Sequence, residues 1–428
     1  MVATLVVAAV MGVLLGRFVS AGGDAGTPAA VRQPKAQSIE QLQEQLRVGG
    51  ENASLLTDLG VAYLNQARAT ADPSWYSKAA DALHRAQALA PDDPRTLTGA
   101  GLLALARHDF TSALGLGQRV RALDPASPDA LGVIVDAQVE LGRYEEAAAS
   151  VQEMVDRRPS LASLSRVSYV RELRGDTSGA LAAMTQAAAA GSGSSTDAAY
   201  VRTLVGDLHL NAGDLDLADA SYRRTLADVP DYGMAQYGSA RVLAARGDLD
   251  GAARVLNPLV ARLPFSAWVA LLGDVDAARG DAAGAAHQYD LVRTIEALNR
   301  SNGINGDLEL ARFEADHARD PGADPAAAVG LARSAAVERP TIYAEDVLGW
   351  ALRQAGDPAA ALPHARAAAR LGTADAVLWY HLAAAEADLG MSSQATADLT
   401  HAFALNPHLT LRDLPAAQAL AHRLGVVG

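Results

Sequence analysis

The densest set of chemically able side chains in the sequence is Asp307, Glu309, Glu314, Asp316, His317 and Asp320. Carboxylates and an imidazole at helical spacing are the material of divalent-metal sites and of acid-base pairs. On a helix, Glu309 and Asp316 lie seven apart on one face, while Glu314 and His317 lie three apart on another. That spacing gives two half-sites and no complete ligand set. A solvated helical face with capping carboxylates accounts for the same residues, and a metal-handling or enzymatic accessory role for Glu309 to Asp320 stands as the alternative. His84, His108, His209, His287, His364 and His381 are scattered, with no partners at ligand spacing. There is no Walker A loop, no HExxH and no G-x-S-x-G elbow. Gly99-Ala100-Gly101-Leu102-Leu103-Ala104 matches G-x-G-x-x-A but sits inside a helical pattern and follows no strand. With no cysteine in 428 residues, thiolate zinc sites, iron-sulfur clusters, redox pairs and cysteine nucleophiles are excluded. The expectation is a protein without catalytic residues, metal or cofactor.

The elements that carry these residues read as helices throughout. Half the residues are apolar but only 5% are aromatic, and alanine dominates, so packing through small side chains is favoured and a β-sandwich is excluded. The net charge of -13 offers no general attraction to a phosphate backbone, so no nucleic-acid partner is expected. Only Lys35 and Lys78 are lysines among 36 basic residues. A phrase of the form Gly-x-aromatic/Leu-x-x-Ala recurs at Gly142, Gly213, Gly247 and Gly280, with related copies at Gly175, Gly356 and Gly390. From Gly142 the successive glycines are 33, 38, 34 and 33 residues apart, and Gly356 to Gly390 is again 34. Twelve residues after the alanine comes a proline: Ala79/Pro91, Ala113/Pro125, Ala147/Pro159, Ala218/Pro230, Ala252/Pro264, Ala328/Pro340 and Ala395/Pro407. A period of this length is the mark of a repeat array.

Each piece has a physical reason. Glycine suits the tight turn between two antiparallel helices. The alanine lets paired backbones approach, and the larger residue four later (Leu83, Val151, Met184, Tyr222, Leu256, Tyr289 or Leu399) fills the next hole on the same face. The proline ends the second helix. With Leu59-Gly60-x2-Tyr63, Gly206, Trp379 and the Ala/Pro pairs, the chain from residue 53 to about 407 resembles the tetratricopeptide repeat family. The resemblance implies an all-α fold, an α-solenoid coiled as a right-handed superhelix of about ten helix-turn-helix repeats. It implies a non-enzymatic scaffold that binds a protein or peptide segment in its concave groove. The chain is also similar to a group of exported bacterial tetratricopeptide proteins with a first-repeat insertion and a phrase matched here by Gly303-x-Asn305-x-Asp307-Leu308-Glu309 and Ala315-Asp316-His317. That likeness implies export and a bacterial source.

The expected organisation is a signal peptide or N-terminal membrane anchor with linker over 1–30, a lead-in over 31–52, repeat blocks over 53–190, 197–300 and 307–407, and a capping helix and tail over 408–428. Val2 to Gly16 carries no charge, and Val19-Ser20-Ala21 resembles a cleavage site, so the body is expected outside the cytoplasmic membrane, exported or anchored. The basic residues Arg17, Arg32 and Lys35 all follow the apolar run, and the positive-inside rule read literally would keep the body in the cytoplasm. A start internal to a longer reading frame would reconcile the two. The first unit carries about seven extra residues around Ala69 to Trp75, Gly191 to Asp197 reads as a flexible linker, and Asn299 to Asp307 as a long turn.

By the family's geometry, positions 2, 5, 9 and 12 of each first helix point into the groove. Those positions place Asp136, Tyr169, Glu172, Tyr200, Asp207, Tyr237, Arg241, Asp274, Tyr343, Asp346, Trp350, Arg353 and Tyr380 there. Aromatics, arginine and aspartate are what peptide-binding surfaces use as anchors, though single tyrosines also pack between adjacent helices. The lysine/asparagine clamp that some members use on a C-terminal carboxylate is missing from these positions, which argues against a chaperone tail as ligand. Asp136, Asp207, Asp274 and Asp346 on the inner face point to a basic or polar-aromatic partner segment.

Overall fold

The computed structural model describes residues 37–190, 195–320 and 323–426. The expected signal or anchor segment lies outside them, as does most of the Gly191 to Asp197 stretch. Among the described residues there are 22 helices and no strand, and no helix is long and apolar enough to cross a membrane.

Helix α1 (Ile39–Gly49) opens on a capping box formed by Ser38 and Gln41, and buries Leu42 against the first unit. Ten antiparallel pairs follow: α2/α3 (Ala53–Thr70, Ser74–Leu89), α4/α5 (Pro94–Ala106, Phe110–Leu123), α6/α7 (Pro128–Glu140, Tyr144–Arg157), α8/α9 (Leu161–Leu173, Thr177–Ala190) and α10/α11 (Ser195–Asn211, Leu215–Asp228). The series continues with α12/α13 (Gly233–Ala245, Leu249–Arg262), α14/α15 (Ser266–Ala278, Ala282–Ser301), α16/α17 (Asp307–Asp316, Pro325–Glu338), α18/α19 (Ile342–Gln354, Pro358–Ala369) and α20/α21 (Ala376–Asp388, Ser392–Leu405). Helix α22 (Leu414–Leu424) caps the stack.

Local chemistry sets the ends. Asp93, Ser127, Asp324 and Asp357 each cap a helix whose first residue is proline, the arrangement that satisfies an orphan N–H and pre-sets φ. The repeat alanines Ala79, Ala113, Ala147, Ala180, Ala218, Ala252, Ala285, Ala328, Ala361 and Ala395 are all buried, one in the second helix of each pair. The larger residue four positions on then meets a glycine of the first helix. A Cβ added at Gly60 would lie 2.6 Å from Leu83, at Gly206 2.5 Å from Tyr222, and at Gly273 2.5 Å from Tyr289. The ring of Tyr222 is held between two such glycines, since a Cβ at Gly238 would lie 2.4 Å from it.

Two segments differ from the expected lengths. The extra residues of the first unit mostly lengthen α2 to 18 residues, and the chain then turns at Ala71 with φ 54°. Helix α15 runs 20 residues through Ser301, so the long turn before α16 is shorter than its composition suggests.

The stack coils until its second turn rests on its first. Asn305 N–H donates to the Arg107 carbonyl at 3.0 Å, and Arg339 reaches Glu140 at 2.6 Å. Ile342 N–H donates to the Tyr144 hydroxyl at 2.8 Å, Thr373 Oγ1 to the Leu173 carbonyl at 2.5 Å, and Asn406 Nδ2 to the Leu210 carbonyl at 3.0 Å. The last four pairs are separated by 196 to 200 residues, so one turn of the coil takes just under six repeats.

Candidate functional site

The inner face is lined by the first helices, and their polar residues meet one another first. Asp136 receives two hydrogen bonds, at 2.7 and 2.6 Å, from the fully buried Arg166 of the next unit. Asp207 accepts from the Tyr222 hydroxyl at 2.7 Å and faces Arg241 at 3.3 Å. Asp274 accepts from the Tyr289 hydroxyl at 2.9 Å and faces His317 at 3.1 Å. Asp346 pairs with His381 at 2.8 Å and approaches Arg312 at 3.7 Å, and Arg353 pairs with Asp388 at 2.8 Å. This ladder runs from unit to unit, so the charge of the four aspartates is met from within. They are not the surplus acid of the interior. Buried pairs of this kind hold register because losing one partner strands the other.

The thirteen inner-face residues divide three ways. Asp136, Tyr169, Tyr200, Asp207 and Asp346 lie between helices and line neither of the two large hollows described next. Tyr169 and Tyr200 are buried at 6% and 2% exposure, because adjacent first helices close over them, and burial pushes both hydroxyls well up from their ordinary value. Glu172, Tyr237, Arg241, Asp274 and Tyr343 line a central cavity of about 860 Å3. Asp274, Trp350, Arg353 and Tyr380 line a second hollow, a cleft of about 580 Å3 beside α22. The cavity volume is in the range of sites that enclose a small ligand or a short chain segment.

Both turns of the coil wall the cavity, from Asn65 to His108 on one side and from Tyr343 to Leu414 on the other. The longer α2 brings Ala71 against the cluster formed by Tyr237, Leu256, Trp268 and Leu272. Leu411, in the link to the cap, packs on the same cluster. Leu411 and Arg412 line both hollows and so divide them. Arg412 is held there by the Asp316 carbonyl at 2.9 Å and by Asp320 at 2.5 Å. One cavity wall is aromatic: Trp268 stacks on Tyr237 with centroids 5.5 Å apart, and Phe265 meets Trp268 edge-on at 4.7 Å. The lining includes seven carboxylates, five arginines and no lysine.

Glu172 is the unusual member. It accepts from Asn211 at 3.1 Å. Burial, with Asp207 and Asp375 adding to it, pushes its carboxyl up to about 7. In the cleft, Trp350 lies flat on His381 at 3.8 Å. Burial alone would lower His381, but Asp346 and Asp413 reverse this and push it up to about 9.

The acidic cluster of α16 is dispersed. Glu309 takes Arg339 at 2.8 Å, Glu314 takes Arg293 at 2.8 Å, and Asp307 takes Arg300 at 2.5 Å. His317 and Asp320 turn to Asp274 and Arg412. Among the described residues no three acids, histidines or cysteines are grouped to hold a metal ion.

Spacing did not single out Arg339, Trp268, Arg412 or His108 as inner-face residues. Arg339 has a visible signal, since it immediately precedes the unit-closing Pro340. His108 holds the left-handed turn position occupied by glycine in later units, with φ 59°, and its Nδ1 meets the Asn305 carbonyl at 2.8 Å.

These features define an all-α repeat solenoid. Two tetratricopeptide-repeat models match the chain, one over residues 76–128 and 204–267, the other over 104–166. The chain is a tetratricopeptide-repeat protein. No curated protein matches it. Among solved structures it is similar to a thermophilic TPR protein of Thermus thermophilus, at 24% identity over 45% of this chain and 99% of that one, with a TM-score of 0.41. The APC/C hetero-tetramer Cut9–Hcn1 aligns at 18% identity over 91% of this chain and 67% of the other, with a TM-score of 0.41. The human IFIT1 dimer with PPP-AAAA aligns at 12% identity over 85% and 87%, with a TM-score of 0.47. Likenesses at these identities concern the fold alone.

Proposed function

We propose that this protein is a non-enzymatic scaffold that holds a short segment of a partner polypeptide inside its coil, in the central cavity. The observation that carries this reading is the cavity itself: about 860 Å3 on the inner face, walled by both turns and faced with stacked aromatics. Such a site orients a chain through a few polar groups and anchors it through apolar area. Holding suits the interior better than turnover, because its acids and bases are committed to one another from unit to unit. The PPP-AAAA bound in one of the similar structures does not transfer to this chain, since the cavity lining has more carboxylates than arginines and the chain carries a net charge of -13. We place the scaffold outside the cytoplasmic membrane, on the strength of the uncharged run Val2 to Gly16 and the small residues that follow it. Protease added to intact cells should then cut the body.

A photo-crosslinking residue tests the site. Leu271→p-benzoylphenylalanine puts the crosslinker in the cavity lining, and Leu217→p-benzoylphenylalanine puts it on an exposed position of a second helix. In the native host the first should give a discrete polypeptide adduct that the second does not. The same adducts from both positions would reject an interior site.

A further inference from the structure

The cleft beside α22 carries more hydrogen-bond donors than the protein itself uses. Four carboxylates line it, and each is already met: Asp274 accepts from Tyr289 at 2.9 Å, Asp316 has Arg312 at 3.4 Å, Asp388 has Arg353 at 2.8 Å and Asp413 accepts from Thr410 at 2.7 Å. Four arginines line it too. Arg353 is taken by Asp388, and Arg412 by Asp320 and the Asp316 carbonyl. Arg319, just after α16, and Arg423, on α22, are exposed and have no acid or other acceptor among the described residues. Two buried aromatic donors are in the same position. Tyr380 is 2% exposed, and its hydroxyl makes no hydrogen bond among the described residues. Burial pushes that hydroxyl well up from its ordinary value, so it keeps its proton and can donate. Trp350, with its ring 5.8 Å from that of Tyr380, has an indole N–H sealed from solvent without an acceptor. A buried donor left unmade costs free energy that a ligand's acceptor recovers. On the same turn of α18, Gln354 Oε1 lacks a donor, and a half-turn of that amide presents its N–H instead.

We propose that this cleft binds a small organic acid, whose carboxylate is held by the Tyr380 hydroxyl and the Arg319 guanidinium, with Arg423 adding a second positive charge from α22. The site is separate from the central cavity, since Leu411 and Arg412 stand between the two, and it does not depend on what occupies that cavity. Guanidinium groups match the planar fork of a carboxylate, and a charge-assisted hydrogen bond is the stronger kind. The body of the acid lies against Ala277, Ala384, Ala416, Ala419 and Leu420, which supply the apolar part of the lining. A volume of about 580 Å3 suits a ligand of this class. A neutral amide of the same shape forgoes the charge, and a cation meets the two arginines that have no counter-ion.

The test follows the four tryptophan indole N–H resonances of the isotope-labelled full chain, that of Trp350 being identified by its loss in Trp350→Phe. Benzoate should move the Trp350 signal saturably and bind at least about tenfold tighter than benzamide, its neutral isostere, a ratio within reach of one charge-assisted hydrogen bond. Tyr380→Phe and the double variant Arg319→Gln/Arg423→Gln should each weaken benzoate at least about tenfold while keeping the melting temperature, because none of the groups removed has a partner in the protein to lose. Equal binding of benzoate and benzamide, benzoate binding that survives both variants, or no saturable movement of the Trp350 signal overturns the inference. Acetyl-Ala-Ala-Phe with a free C-terminus binding more tightly than benzoate also overturns it, since the cleft would then take a chain end in place of a small acid.

Discussion

At the scale of single residues, the interior is governed by who neutralises whom. His381 lies between Asp346 and Asp413, with Trp350 stacked on its face. Its pKa is raised from an ordinary 6.5 to about 9. A raised histidine contributes stability that is complete below pH 6.5 and is lost as the pH climbs through 9. The stabilisation at stake is up to about 3 kcal/mol. Urea midpoints followed by tryptophan fluorescence should therefore fall between pH 6.5 and 9.5 in the wild type. In His381→Gln the midpoint at pH 6.5 should be lower and the fall over that interval much smaller. An equal fall in both would show that the slope belongs to other groups. Glu172 gives a fall of the same sign at lower pH: its carboxyl is raised to about 7, so stability is lost as the pH climbs from 4.5 to 7. The His381 measurement is clearest above that window.

At the scale of the element, the repeat unit was legible because its signals are local. Glycine at the turn, alanine at the close contact and proline at the exit all act within one unit, so their spacing gave the ten helix pairs directly. The lengths of α2 and α15 were less legible, because Ala69 and Arg300 are compatible with helix and with turn and both stay exposed in the folded chain. The turns also separate backbone cost from packing cost. Gly142 and Gly247 both have positive φ, 68° and 79°. A Cβ at Gly247 meets nothing within 4 Å, whereas at Gly142 it would lie 2.2 Å from the carbonyl oxygen of Pro340 in the other turn of the coil. Gly247→Ala should cost about 1–2 kcal/mol, the left-handed penalty alone. Gly142→Ala should cost clearly more, because it also forces the two turns apart, and denaturant titration of the two variants reads the difference. Equal costs would mean that the turns do not touch at this glycine.

At the scale of the whole molecule, the two turns of the coil are what convert a groove into a cavity. Position rules taken from one repeat put Tyr169 and Tyr200 on the inner face but could not show that neighbouring helices close over them. Nor do they reveal that Arg339 bridges Glu140 and Glu309 across the two turns at 2.6 and 2.8 Å. A contact between residues about 198 positions apart leaves no periodic trace, so half of the candidate site was hidden even though the fold was plain. The basic partners of Asp136, Asp207, Asp274 and Asp346 were hidden for another reason: they sit 30, 34, 43 and 35 residues away, at no fixed offset.

Closure of the coil is the claim on which the cavity and its occupant depend, and the absence of cysteine allows it to be measured cleanly. Ser77 Oγ and Asn302 Oδ1 lie 3.2 Å apart across the seam, 225 residues apart in the chain. With Ser77→Cys and Asn302→Cys the only thiols, a short bis-maleimide should link the two within one monomer, seen as an intact-mass gain of one spacer and faster migration in a denaturing gel. Two singly capped thiols with no internal link, in a protein of unchanged helicity, would mean an open superhelix and would contradict the account.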